Sequence, residues 1–490
     1  MTDFLKTTFA ILAIALLALG GCRKDLQITP DPSAKLQFST DTLHFDTVFT
    51  TIGSSTRRLK IFNPQAQAVK VSSIQLAGGA NSLFRLNLNG TSTIQLNDVV
   101  IEGGDSIYLF AEVTIDPFNV NTPLVVEDSV IFTTNGNRQK VLLVAWGQDA
   151  HFYYPDKSLT IGETTINYSI IDCNSTWTDD KPHVIYGYAV VDTDCQLLMQ
   201  AGTKVHLHAG SVLWVYDGGT LKIAGSLGNE VLIQGDRLEP DYEEEPGQWG
   251  QIWLSAGSKN NEIDYTIIKN GTIGLRVDTL GNSSNPTLRV TNTVIRNMSG
   301  IGILGQGTRL EADNVEIYNC GLYNVVCNIG GEYQFRHCTL ANYWPFSGRS
   351  TPLLLLNNYY EDLTGTIQPR DLTRAYFGNC ILYGSNINEL AWDWNNSALF
   401  NWQFENSIVK FKTSDWPNID PNDPLRFTNV LLNVDPKFAD PNEMDYQLDT
   451  LSPAKDFGLN SIGTLIPFDL KGDSRMNDAG PDLGAYERVE

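Results

Sequence analysis

Three textures of apolar and polar positions succeed one another along the chain. The first is the unbroken apolar run from Phe9 to Leu19, preceded by Lys6 and followed by Gly20-Gly21-Cys22. It is too short to span a bilayer and has the layout of a signal peptide, assigned here to residues 1–21. A polar, proline-bearing tether, 22–35, follows. The second texture, residues 36–150, is short alternating segments such as Leu43-His44-Phe45, Arg58 to Phe62, Ser106 to Thr114 and Ser129 to Thr133. They stop at the turn pairs Asn63-Pro64, Asp116-Pro117 and Asn135-Gly136, the pattern of a β-sandwich. From about Val190 the third texture begins, dense in Gly, Asn and β-branched residues.

The third texture is a repeat. Aligned on one corner residue, it reads Tyr265-Thr266-Ile267-Ile268, Asn292-Thr293-Val294-Ile295, Asn314-Val315-Glu316-Ile317, His337-Cys338-Thr339-Leu340, Asn379-Cys380-Ile381-Leu382 and Asn406-Ser407-Ile408-Val409. An apolar residue stands two places before every corner: Ile263, Val290, Ala312, Phe335, Phe377 and Phe404. Asn270, Asn297, Asn319 and Asn342 follow the first four corners by five places. Corner spacings of 22, 23 and 27 residues equal one coil of three strands plus a loop. In such a coil equivalent residues lie about 4.8 Å apart on successive turns, so a column must hold side chains of matching size. The third residue after each corner is always aliphatic and the first is small, which places Cys338 and Cys380 as buried thiols in the small column. Asparagine suits the corner because it tolerates left-handed backbone and can bond the amide of the next coil.

These patterns predict an all-β chain: a right-handed parallel β-helix over 190–430, preceded by an Ig-like β-sandwich over 36–150. Residues 151–189 are expected to connect and cap, and 431–490 to close the far end, with Arg475 paired to Asp469 or Asp482. The 42-residue gap between His337 and Asn379 calls for an extra coil or a long excursion.

Several strings resemble known groups. Leu19-Gly20-Gly21-Cys22 resembles the lipobox of bacterial lipoproteins, which implies Cys22 as a lipid anchor and an outer-membrane location, and Arg23-Lys24-Asp25 resembles the surface-export signals of Bacteroidota lipoproteins. The stretch from Phe45 to Pro64 resembles the Ig-like spacers of envelope proteins. Ser452-Pro453-Ala454-Lys455-Asp456, Asp469 to Arg475 and Asp482 to Glu487 resemble the terminal signature of the secreted β-helix group called choice-of-anchor Q.

Charge and cysteines narrow the chemistry. A net charge of -22 repels nucleic acid and sulfated glycans. The six cysteines after Cys22 lack CxxC spacing, which speaks against a zinc site, while Cys173 and Cys195 form a candidate disulfide in an oxidising compartment. No nucleophile elbow, phosphate loop or dinucleotide fingerprint occurs. The candidate sugar contacts are Trp392, Trp394 and Trp402 with Glu389 and Asp393, since indole faces stack on pyranose rings and carboxylates bond hydroxyls. Glu239, Asp241, Glu243, Glu244 and Glu245 offer acids for Ca2+ as a cofactor, and His206 with His208 share one strand face. The sequence therefore points to a lipid-anchored envelope protein that binds carbohydrate or a surface partner. A surface polysaccharide lyase or glycoside hydrolase is the alternative.

Overall fold

The computed structural model describes residues 27–51, 53–88, 90–116, 124–280 and 284–488. Cys22 and the apolar run before it lie outside them. The chain divides after Gln148 into two units.

In the first unit, alternation of buried and exposed positions along strands such as Arg57–Phe62 and Ser106–Val113 gives each sheet one apolar face. Two five-stranded sheets bury those faces against each other, with Leu59, Val71, Phe84, Leu109 and Val141 fully enclosed between them. All neighbours pair antiparallel except Asn137–Gln148 with Thr42–Phe49. The result is the expected β-sandwich.

The second unit is the right-handed parallel β-helix. Its strands fall into three sheets of eleven, ten and ten, and apart from Lys157–Ile161, which pairs antiparallel with Thr164–Ile170 at the start of one sheet, each strand's neighbours come one coil earlier and one coil later in the chain. The register matches the repeat residue for residue. Ile268, Ile295, Ile317, Leu340, Leu382 and Val409 follow one another up the eleven-stranded face, each fully buried. The column from Ile263 through Phe404 does the same on a second face, and its phenyl rings stack at 5.0 Å for Phe335 on Phe377 and 5.1 Å for Phe377 on Phe404. All six corner residues have φ between 40° and 58°. Asparagine bears this conformation at little cost. Amides also bond along the corners, Asn314 Nδ2 donating to Asn292 Oδ1 at 2.7 Å.

The long gap after His337 is an excursion, because Thr339 pairs directly with Ile381. Its extra length forms an antiparallel hairpin, Tyr359–Glu361 with Ile367–Pro369. Cys173 and Cys195 are bonded across one coil, with Cα atoms 4.8 Å apart, whereas Cys320, Cys327, Cys338 and Cys380 are buried free thiols.

Two placements differ from the sequence reading. The β-helix already begins at His151–Tyr153, which pairs in parallel with His183–Ile185, so coil strands start within 151–189, where the antiparallel pair Lys157–Ile161 and Thr164–Ile170 edges one sheet. Their strands are aromatic and polar and carry no corner asparagine, which hid the repeat. The C-terminal residues, in turn, lie along the eleven-stranded face as a strap. Tyr446 bonds Asn319, Ala485 N–H donates to Thr339, Leu459 N–H donates to Asn379 and Tyr486 donates to Glu316 Oε2 at 2.8 Å. Arg475, fully buried, pairs at 3.3 Å with Glu487 and donates to Asn314. Asp469 and Asp482 instead accept backbone N–H groups of Glu487 and Arg488 and act on Arg475 only through their field.

The strap makes stability depend on pH. Burial pushes the Glu316 carboxyl up from 4.5 to about 7. Between those values the folded chain keeps a proton that the unfolded chain releases, so stability falls as pH rises through this window. From this group a loss of up to about 3 kcal/mol is expected from pH 4 to pH 8, read by denaturant unfolding, and Glu316→Gln should remove that share while leaving the share of Glu487 and Asp482, which burial raises to about 8 and about 6.

Candidate carbohydrate-binding trough

The aromatic-rich segment after Asn388 sits where the prism of strands ends, and this position decides what each side chain does. The last full rungs have no coil above them, so their inward columns need a plug. Trp392 supplies part of it: it is 3% exposed, and its ring meets Trp402, Phe411 and Trp416 at 5.1 to 5.3 Å. Burial therefore removes Trp392 from the sugar-contact set. Glu389 is removed too, being fully buried and held by Arg349 through bonds of 2.6 and 2.9 Å, with the backbone N–H groups of Leu353 and Asn386 as further donors. Burial pushes its carboxyl up while Arg349 pulls it down. The pair anchors the long excursion to the coil. Asp393 is exposed but engaged, accepting from the Tyr359 hydroxyl at 2.8 Å and from Asn357 at 3.1 Å.

Trp394 remains at a surface. Trp394 stacks against Phe400 with centroids 5.7 Å apart, and its N–H donates to Asn396. Trp402, 5% exposed, is packed in the core against Trp392, Phe404 and Phe427 and so leaves the sugar-contact set as Trp392 does, while the Arg426 guanidinium lies 5.0 Å over its ring. These rings line a depression of about 490 Å3 together with Asp420, Asp423 and Arg426. A second depression of about 330 Å3 shares Trp402, Asp423 and Arg426 with it and continues to Arg374 and Tyr376. The two make a trough along Leu372–Gly378, Phe400–Glu405 and the loop through Asp420 to Arg426. Apolar ring faces beside carboxylates and guanidinium groups fit a ligand with CH faces and hydroxyls. Asp420, Asp423 and Arg426 were missed from sequence because they lie in a loop outside the repeat.

Several of the other candidates are engaged locally. Glu239 pairs with Arg237 at 3.0 Å, and Glu244 bonds Arg296, Lys269 and Asn297, so the acidic run straps a loop to the coil. His206 Nδ1 donates to the Gly235 carbonyl and His208 meets Asp236 at 2.7 Å. Among the described residues, the group that brings three His, Cys, Asp or Glu side chains together is His151, Asp180 and His183. No sequence spacing announces it, since the first coil is what brings its members together.

No known family model and no curated protein matches the chain. Among solved structures, the catalytic unit of a GH87 α-1,3-glucanase from Streptomyces thermodiastaticus is similar over 72% of this chain and 83% of its own, at 11% identity and a TM-score of 0.23. A family 123 glycoside hydrolase from Clostridium perfringens matches over 24% and 30%, at 6% identity and a TM-score of 0.17. The PapD-like domain of human CEP192 matches over 26% and 95%, at 11% identity and a TM-score of 0.17. At such values they say nothing of what this chain binds.

The plug and the trough separate in a mutant pair. Trp392→Ala should cost about 3–5 kcal/mol in denaturant unfolding, the range for deleting a buried aromatic side chain. Trp394→Ala should shift the midpoint far less.

Proposed function

We propose that this protein is an envelope lipoprotein of the choice-of-anchor Q kind, held in the outer membrane through acylated Cys22, that binds an extended uncharged polysaccharide in the trough. The observation that carries the reading is the meeting of Trp394 and Phe400 with Arg426, Asp420 and Asp423 in one open depression of about 490 Å3. The net charge of -22 favours an uncharged polymer over an anionic one. Acyl chains add about 0.8 kcal/mol per buried methylene, enough in combination for durable anchoring.

On a glycan array the detergent-solubilised full chain should bind a discrete set of neutral polysaccharides. Trp394→Ala and Arg426→Ala should each weaken that binding about 5- to 10-fold. Unchanged affinity in both variants sinks the trough as the site, and new reducing ends or unsaturated products would transfer the protein to the hydrolases or lyases. Separately, Cys22→Ser should move the protein from the membrane to the soluble fraction; retention in the membrane counts against the anchor.

A further inference from the structure

We infer that His151, Asp180 and His183 form a binding site for a divalent metal ion of the Zn2+ class at the first rungs of the β-helix. The site is independent of the trough, which lies at the last rungs of the same stack.

The parallel pairing of His151–Tyr153 with His183–Ile185 sets His151 directly opposite His183, with ring centroids 4.9 Å apart. Asp180 enters from the turn before the second strand, its Oδ2 3.0 Å from His151 Nε2. One ligand atom from each residue lies within 4.8 Å of the others. Two imidazoles and a carboxylate are a donor set that Zn2+ takes, with an open position for water or another ligand. Metal–ligand bonds near 2.1 Å put neighbouring donors about 3.3 Å apart. The His151 to Asp180 distance is already close to this. The widest gap has to shrink by about 1.5 Å, within the reach of side-chain rotation at the two exposed members. Those are His151 and Asp180, with side chains 43% and 55% exposed.

The third member is fixed. His183 is 4% exposed, Trp177 stacks on it at 4.3 Å, and the Tyr153 hydroxyl meets its Nδ1 at 3.0 Å. Its Nε2 is buried without a hydrogen-bond partner; the Thr178 carbonyl borders the ring but does not reach hydrogen-bond geometry. Buried polar atoms are rarely left in this condition, and a metal ion would satisfy the lone pair. With metal on Nε2, Nδ1–H donates to the Tyr153 oxygen, which sets the tautomer. Asp180 is oriented in the same way: its Oδ1 accepts from the Thr178 hydroxyl at 2.7 Å, which leaves Oδ2 toward the histidines. A bound ion would tie the terminal strand His151–Tyr153 to the coil beside it.

The test uses the full chain in detergent, stripped with EDTA, dialysed and titrated with ZnCl2 by calorimetry. A parallel titration with CoCl2 reads the visible absorption of the coordinated ion. One Zn2+ per chain is expected, with a rise in the thermal midpoint. His151→Ala and Asp180→Asn, both at exposed positions, should each weaken binding about 10-fold or more and lose the midpoint rise. His208→Ala, at the exposed imidazole paired with Asp236, should leave binding as it is. His183→Ala should abolish binding, and circular dichroism checks that the variant is folded. Absence of saturable binding overturns the site, as does wild-type affinity in both His151→Ala and Asp180→Asn.

Discussion

Everything in the second unit depends on identical environments recurring at the strand spacing. A side chain in a parallel stack touches its equivalents one coil above and below, so the column is selected as a unit. Ile295 is held between Ile268 and Ile317, and Phe377 between Phe335 and Phe404. Burial of these surfaces, at roughly 25 cal/mol per Å2, is the force that keeps one coil on the next. Backbone hydrogen bonds fix the register in which that burial happens. The corners obey the same rule for a different reason: the chain must turn with φ positive at each, and asparagine does this while also bonding its counterpart in the next coil.

A column that repeats has to stop somewhere, and the stopping places account for the least repetitive side chains. At the last rungs the aliphatic columns give way to large rings, with Trp392, Phe404, Phe411, Trp416 and Phe427 packed against one another. Along the eleven-stranded face the C-terminal strap covers outward apolar groups such as Tyr318, Ile381 and Ile408 with Phe438, Tyr446 and Leu483. Its buried Arg475 reaches the corner ladder through Asn314, so strap and repeat are joined by a polar contact sheltered from water, where such a contact is strongest.

The part of the fold legible in the sequence was the part where like stacks on like. The corners, the aliphatic column and the small column could all be read, because six successive coils present the same residue classes at the same offsets. The first coils could not: Tyr153, Trp177 and His183 stack on one another as rings of unlike type, leaving no periodic signal. Tryptophan is equally ambiguous from sequence alone. Trp392 and Trp394 stand two apart, yet the first lies on the strand Leu390–Asp393 and plugs the core while the second comes after the strand has ended and faces a depression. Glu389 misled for a related reason, since its partner Arg349 lies forty residues earlier, in the excursion that the repeat does not describe.

Chemistry on such a scaffold is confined to places where the repeat fails. Inside the columns the apolar side chains are committed to their neighbours, and the Asn324 amide donates to the carbonyls of Ile317 and Ala341. At the two ends that commitment lapses. The first rungs leave His183 Nε2 without a partner, and the last leave Trp394, Arg426 and two aspartates around an open trough. A polymer can lie across the outside of a terminal rung without disturbing the stack, because the aromatic plug beneath it carries the load of closing the core. Selection can thus vary the loop from Asp420 to Arg426 while the columns that hold the coils together stay as they are.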